Sequence, residues 1–302
     1  MEKKNQEIIY WDRQEKIEKI EKIVGEKTIK WIYQSKLGRF FLEKIFLKSL
    51  FNWVFGIYQS SWFSRFQIPF FVRSYQIPIQ EYEQRRFYSF NDFFSRRFKF
   101  HARRFVQEAH QFPACAEGRY LAWKASHLKE KFLIKGIKLD LQSLLGCEKR
   151  ALPFLGGAIL IARLCPVDYH RFHFPDEGEI LERYALKGSL HSVNPFALNY
   201  KNDIFMVNER QVSILKTKNF GKLAYIEVGA LLVGKIIQTY SQSYFQRGQE
   251  KGYFLFGAST VVILGEPGLW TPSLDLLEQT HRGKETLVRL GEEVGLRAIP
   301  LE

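Results

Sequence analysis

From Pro113 onward the chain breaks into short β-forming runs separated by glycine, and this pattern constrains the fold more than any other feature. The runs are Leu121-Ala122-Trp123, Phe132-Leu133-Ile134, Ala158-Ile159-Leu160-Ile161, Ile204-Phe205-Met206-Val207, Val212-Ser213-Ile214-Leu215 and Leu223-Ala224-Tyr225-Ile226, with Val261-Val262-Ile263-Leu264 last. Such spacing predicts an antiparallel β core. Directly before the last run stand Gly257-Ala258-Ser259-Thr260. Small residues bunched around a serine let another group approach its hydroxyl and the carbonyl of Ala258. Taken alone, the same segment reads as a strand entered through a tight bend.

The N-terminal part has a different pattern. Residues 1–26 are polar and of mixed charge. Over residues 27–72, Trp31, Phe40, Phe41, Ile45, Leu50 and Phe55 are among apolar residues that recur at helical spacing, with lysines and arginines between them. The longest uncharged stretch there runs from Ser49 to Ser64 and includes Asn52 and Gln59. A bilayer crossing needs about 20 predominantly apolar residues, so the expectation is interfacial helices rather than a span. A helical subdomain packed on the core fits the same pattern, and one helix can serve both with opposite faces. Residues 81–110 read as helical and then turn-rich, Leu139–Leu145 as a short helix, and residues 272–293 as a late loop or helix.

The formal net charge of +13 is unevenly placed. From Lys27 to Arg73, eight basic residues face only Glu43, and from Arg85 to Arg104 seven face only Asp92. Basic residues interleaved with aromatics suit nucleic acid or an anionic bilayer. Aromatics make up 16% of the chain, which favours a surface that meets lipid. Cys115, Cys147 and Cys165 show no ligand spacing, so no metal site is expected and a reducing cytoplasm is the default. The first residues lack the apolar core of a signal peptide.

Two further segments give the serine a chemical context. Phe90-Asn91-Asp92-Phe93-Phe94-Ser95-Arg96-Arg97 supplies a carboxylate, and Pro166-Val167-Asp168-Tyr169-His170-Arg171-Phe172-His173 supplies two histidines. With Ser259 these are the parts of a Ser-His-Asp arrangement. In order and wording the segments resemble the phosphatidylserine decarboxylase family, whose members are pyruvoyl-dependent and make phosphatidylethanolamine. The likeness continues through Ser192-Val193-Asn194-Pro195, Val207-Asn208-Glu209-Arg210, Phe220-Gly221-Lys222 and Val228-Gly229-Ala230. It covers roughly residues 80–290.

The resemblance implies an α+β chain. Residues 1–80 would be a helical membrane-associating region and residues 81–302 a β-rich catalytic domain. It implies self-cleavage between Ala258 and Ser259, giving a β chain (1–258) and an α chain (259–302). By match to the motif, Ser259 is the nucleophile, His173 its base and Asp92 the orienting group. Ser259 then becomes a covalent pyruvoyl cofactor that forms a Schiff base with the substrate. His170 is the candidate proton donor, and His191 is left without a role. Many family members have glycine where this chain has Ala258, and the added methyl disfavours positive φ there. The implied partners are phosphatidylserine, an anionic membrane at its cytoplasmic face and the two cleaved chains as a heterodimer. A higher homo-oligomer stays open, and no nucleic acid is expected. The alternatives are an unprocessed lipid-binding relative and a decarboxylase of another phosphoserine lipid, such as an ether-linked, archaetidylserine-like one.

Overall fold

The computed structural model describes residues 7–125, 139–231, 235–257 and 259–298. Its centre is a ten-stranded sheet. From one edge to the other its strands are Tyr244–Phe245, Gly178–Leu186, Arg210–Thr217, Lys222–Val228, Ser259–Gly265, Ile159–Leu164, Gly118–Trp123, Glu285–Val288, Ile9–Asp12 and Ile17–Ile20. Every neighbouring pair is antiparallel except Ile9–Asp12 with Glu285–Val288. The middle strands, Ile159–Leu164 and Ser259–Gly265, are buried at every position. This matches their continuous apolar sequence, because a strand covered on both faces has no reason to alternate.

Two three-stranded sheets complete the β structure. In one, Glu250–Phe254 lies between Ile236–Gln238 and Arg171–His173; in the other, Glu293–Arg297 lies between Trp270–Pro272 and Gln111–Pro113. The first sheet packs on the large one: Phe172 meets the Tyr225 ring, and the Tyr225 hydroxyl donates to the His173 carbonyl at 3.2 Å. Close approach across the large sheet depends on glycine. A Cβ at Gly157 would lie 1.8 Å from the carbonyl oxygen of Gly265.

The helical pattern of residues 27–72 appears as Glu26–Gln34, Lys36–Phe41, Leu42–Phe46, Ser49–Ser60, Trp62–Gln67 and Ile68–Tyr75. Among the described residues, no helix is long and apolar enough to cross a membrane. These helices pack on the core through one face. Phe71 joins Phe90, Phe93, Phe94 and Tyr169 in a second hydrophobic cluster, with Phe256 against it. The other face leaves Leu50, Trp53, Trp62, Phe63, Phe66 and Phe70 more than half exposed.

Several local expectations change. Residues 8–21, read as part of a polar lead-in to helices, form a hairpin on the large sheet; Ile8, Tyr10 and Asp12 alternate inward, a period of two inside a charged stretch. Ile204–Val207 is a helical turn rather than a strand, because a four-residue apolar run carries no period of its own. Over residues 81–110 the only α-helix is Phe90–Phe94, and most of the rest is irregular. Residues 272–293 divide into the helix Leu274–His281 and the strand Glu285–Val288. The short helix near Leu139 is present as Leu141–Leu145, capped by the Asp140 carboxylate. The run Phe132-Leu133-Ile134 lies outside the described residues.

Candidate active site

Ser259 is the first residue of its strand. It pairs with Leu164 and is fully buried. Its Oγ has no hydrogen-bond partner among the described residues. A buried hydroxyl left unpaired costs about 1–3 kcal/mol; among the described residues the neighbouring Thr260 Oγ1 is unpaired as well. Gly257 has φ 143°, a backbone angle that excludes most side chains. The expectation for Ala258 falls outside the described residues.

The three motif segments converge on this strand end. The helix Phe90–Phe94 is capped by Ser89, whose side chain accepts from the Asp92 N–H. The helix presents the amide of Asn91, whose Oδ1 accepts from the Phe256 N–H at 2.8 Å and whose Nδ2 donates to Ser60 Oγ at 2.9 Å. Phe90 and Phe94 pack edge-on against the Phe256 ring. Phe94 also covers His170, with ring centroids 3.9 Å apart. Arg96 reaches the carbonyls of Val167 and Asp168, and Arg171 Nε donates to the Ser95 carbonyl. The FNDFF segment thus clamps both the histidine loop and the approach to Ser259.

The two histidines differ. His170 is fully buried, its Nδ1 lies 3.0 Å from the Asp168 carbonyl, and its Nε2 has no hydrogen-bond partner among the described residues. Bonding to a carbonyl makes Nδ1 the protonated nitrogen of a neutral ring and leaves Nε2 with a lone pair. Burial pushes the pKa of His170 down to about 3, only partly offset by the Asp168 and Gly257 backbone. His173 is held at both nitrogens, by the Gly248 carbonyl at 2.9 Å and the Tyr169 hydroxyl at 3.4 Å. Burial lowers its pKa, against the pull of the Gly248 carbonyl.

Asp92 lies on the same helix as Asn91 but faces the other way. Its carboxylate takes both Arg85 guanidinium nitrogens, at 2.6 and 3.0 Å, and the Tyr88 N–H at 2.9 Å. The structure therefore places His170 against Phe94 and near the backbone of Gly257, two residues before Ser259, and holds Asp92 on Arg85 and His173 on Gly248. His191 is nearly buried with an unpaired Nδ1, and burial lowers its pKa to about 4.

Sequence reasoning passed over two buried charge clusters behind the site. Lys251 and Glu227, both fully buried, pair at 2.6 Å. On the other side, Glu21, Glu285 and Asp168 surround Arg119 and Arg163. Nothing in the local sequence marks these residues, since a lone charge in a β run reads as a solvated position. Among the described residues, no cluster of His, Cys, Asp and Glu could hold a metal ion.

A buried serine at a strand tip whose hydroxyl has no partner among the described residues, with a neutral histidine near the Gly257 backbone, suits acyl-shift and acid–base chemistry. Comparison with known proteins narrows the class. The family model described as phosphatidylserine decarboxylase matches residues 90–296. The phosphatidylserine decarboxylase proenzyme of Clostridium novyi is 39% identical over 95% of this chain and 98% of its own. The proenzymes of Clostridium kluyveri, at 39% over 96% and 99%, and Clostridium perfringens, at 38% over 94% and 98%, are similarly close. The chain belongs to the phosphatidylserine decarboxylase family.

Proposed function

We propose that this enzyme is made as a proenzyme, cuts itself between Ala258 and Ser259, and then decarboxylates phosphatidylserine to phosphatidylethanolamine and CO2. The observation that carries the reading is the buried, unpaired Ser259 Oγ at the point where all three motif segments meet. In the processing step Oγ attacks the Ala258 carbonyl carbon as the hydroxyl proton passes to a histidine. The peptide bond becomes an ester and the nitrogen of residue 259 a free amine. Loss of the Cα proton expels the Ala258 carboxylate and leaves a dehydroalanine. Its enamine tautomerises and takes up water, releasing ammonia and leaving a ketone at the new N-terminus. Bound there, that pyruvoyl group supplies an electron sink for the substrate amine, the role pyridoxal has elsewhere. The residues fit it: Ser259, its precursor, is buried, and its Oγ has no partner among the described residues.

The roles follow the motif. His173 takes the hydroxyl proton, Asp92 orients His173, and His170 returns a proton to the carbon that loses CO2. This assignment requires Asp92 to leave Arg85, a partly exposed partner. It also requires His170 to gain a proton after substrate binds, which a nearby lipid phosphate or carboxylate favours electrostatically. A second reading gives His170 the processing role as well, because it is the histidine with a free nitrogen beside Gly257. The exposed aromatic face of the N-terminal helices and the basic residues among them suit peripheral attachment to an anionic bilayer at the cytoplasmic face of the cell membrane. The same field would concentrate the anionic substrate.

Intact mass is the direct test. Cleavage gives pieces of 258 and 44 residues, the smaller blocked to Edman sequencing, and Ser259→Ala stays whole. A wild type that remains one chain for days overturns the proposal. His173→Ala stays uncut under the first assignment, while His170→Ala is cut but turns over about 10^2–10^4-fold more slowly. An uncut His170→Ala with a cut His173→Ala selects the second reading.

A further inference from the structure

On the face of the sheet away from Ser259 lies a buried chain of charge, Glu285–Arg163–Glu21–Arg119–Asp168. Arg163 pairs in register with Thr260 on one side and with Arg119 on the other. Two guanidiniums directly opposed on neighbouring strands repel each other, and both are almost fully buried. Glu21 lies between them. Its Oε2 is 2.6 Å from Arg163 NH2 and 3.3 Å from Arg119 Nε, and its Oε1 is 3.1 Å from Arg163 NH1. Burial works against ionisation of Glu21, but the two guanidiniums outweigh it and hold the carboxyl below its usual range. Glu285 ends the chain on the far side of Arg163, at 2.6 and 2.8 Å.

Arg119 carries the arrangement onward. Its NH1 donates to Asp168 Oδ2, and the same oxygen accepts from the Cys165 N–H at 2.7 Å. Asp168 is thereby locked by its side chain. Its main-chain carbonyl is the group that accepts from His170 Nδ1. The hydrogen bond at one ring nitrogen decides which tautomer the other presents. The path from Glu21 to the His170 ring therefore runs through the Glu21–Arg119 ion pair, in which Arg119 Nε makes no hydrogen bond among the described residues, and then through the hydrogen bonds of Asp168. Glu21 belongs to the N-terminal hairpin segment, outside the residues matched by the family model.

We propose that Glu21, acting through Arg119 and Asp168, is a positioning residue for His170. It holds the imidazole in the Nδ1–H tautomer with Nε2 open to the reacting atoms. The inference rests on the proposed role of His170 in decarboxylation. Removing the Glu21 charge leaves Arg119 and Arg163 opposed, pulls Arg119 away from Asp168 and frees the loop that carries the accepting carbonyl.

The test uses the full chain with Glu21→Gln and Glu21→Asp, and Glu182→Gln as a control in the exposed Arg150–Glu182 pair. Two readouts are taken. Histidine ring ¹⁵N spectra of the uncut Ser259→Ala chain, with and without Glu21→Gln, report the tautomer, with the His170 signals assigned by their loss in His170→Asn. Steady-state turnover of vesicles containing phosphatidylserine reports kcat and KM. The expected result is Nδ1–H in the parent, a tautomer mixture in Glu21→Gln, and kcat down about tenfold with KM little changed, since a misplaced tautomer harms the transition state more than binding. Glu21→Asp, which keeps the charge, recovers part of kcat, and Glu182→Gln equals wild type. Should Glu21→Gln fail to fold, Glu21→Asp carries the test: its shorter reach still shifts the tautomer balance and lowers kcat. A folded variant that keeps the parent tautomer and turns over within twofold of wild type overturns the proposal. An inactive wild type refutes the decarboxylase reading instead, and the spectra still decide the tautomer question.

Discussion

Replacing Lys251 with methionine would expose the cost of the charge buried beneath the strand Ser259–Gly265. Lys251 Nζ lies 2.6 Å from Glu227 Oε1 and 3.0 Å from Gln238 Oε1, and the rings of Phe172, Phe174, Tyr225 and Tyr240 surround it at 4.9 to 5.8 Å. Both members of the pair are inaccessible to water. Removing one partner of such a pair costs about 3–5 kcal/mol, because the other charge stays buried without compensation. At about 2–4 °C per kcal/mol for a large single domain, Lys251→Met should melt roughly 6–20 °C below its parent.

The loss should also depend on pH in one direction. Burial already raises the pKa of Glu227, and Lys251 is the main influence opposing it. A carboxyl with a raised folded pKa holds its proton more tightly folded than unfolded. Its contribution is therefore intact below the unfolded value of 4.5 and is lost as pH rises through the folded value. Without Lys251 that window widens upward. The variant should lose stability by about 1.4 kcal/mol per pH unit across it, the slope for one proton. The double variant Lys251→Met/Glu227→Gln should recover most of the loss and flatten the slope. Thermal melts of uncut Ser259→Ala chains between pH 5 and 8 measure all three. A single variant that melts within 2 °C of its parent at pH 8, with a parallel pH profile, would refute the reasoning.

Asn91→Leu removes the amide that ties Phe256 to Ser60, leaving a part-buried N–H unpaired beside the proposed cut site at up to about 1–3 kcal/mol; gel assays of fresh protein should show processing slowed about tenfold or more. Arg85→Ala frees the Asp92 carboxylate, so cleavage should run at least as fast as in wild type, whereas Asp92→Asn should accumulate precursor; equal rates in both would remove Asp92 from the processing step. Gly157→Ala drives a methyl against the Gly265 carbonyl, and denaturant melts should show a loss of more than about 2 kcal/mol. Replacing Trp53, Phe63 and Phe70 together with serine should weaken liposome flotation at both low and high salt. Salt alone should weaken wild-type binding only partly, since apolar insertion is not screened.

What the sequence disclosed divides by the range of the interaction. The central strand Ser259–Gly265 and its neighbour Ile159–Leu164 were readable because burial on both faces writes a continuous apolar run. The N-terminal helices were readable from their period. The hairpin at Ile9–Ile20 was not, because its exposed face is charged and its partner strand, Glu285–Val288, lies at the other end of the chain. The motif segments pointed to Ser259 and His170, and the fold packs Phe94 of one segment on His170 of another. Asp92, set among arginines, also reads as an arginine partner, which it is through Arg85, but the segments gave no hint that Gly248 and Tyr169 would occupy both nitrogens of His173. Those contacts depend on how loops settle in three dimensions. Glu21, Glu227 and Lys251 escaped notice for a related reason: a buried charge is recognised only by its distant partner.

The position of Ser259 in the large sheet decides what breaking the chain before it can do. Residues 259–264 are laddered to 164–159, and 260–265 to 228–223, so the proposed smaller piece would sit between two strands of the larger one. It would also contribute Glu285–Val288 to the same sheet and Trp270–Pro272 and Glu293–Arg297 to another. A cut there gives the new terminus freedom over a residue or two and releases nothing else. One folded molecule becomes a two-chain complex without any change of shape, and its unfolding becomes a dissociation. The denaturation midpoint of the cut enzyme then rises with protein concentration, whereas that of the uncut chain does not.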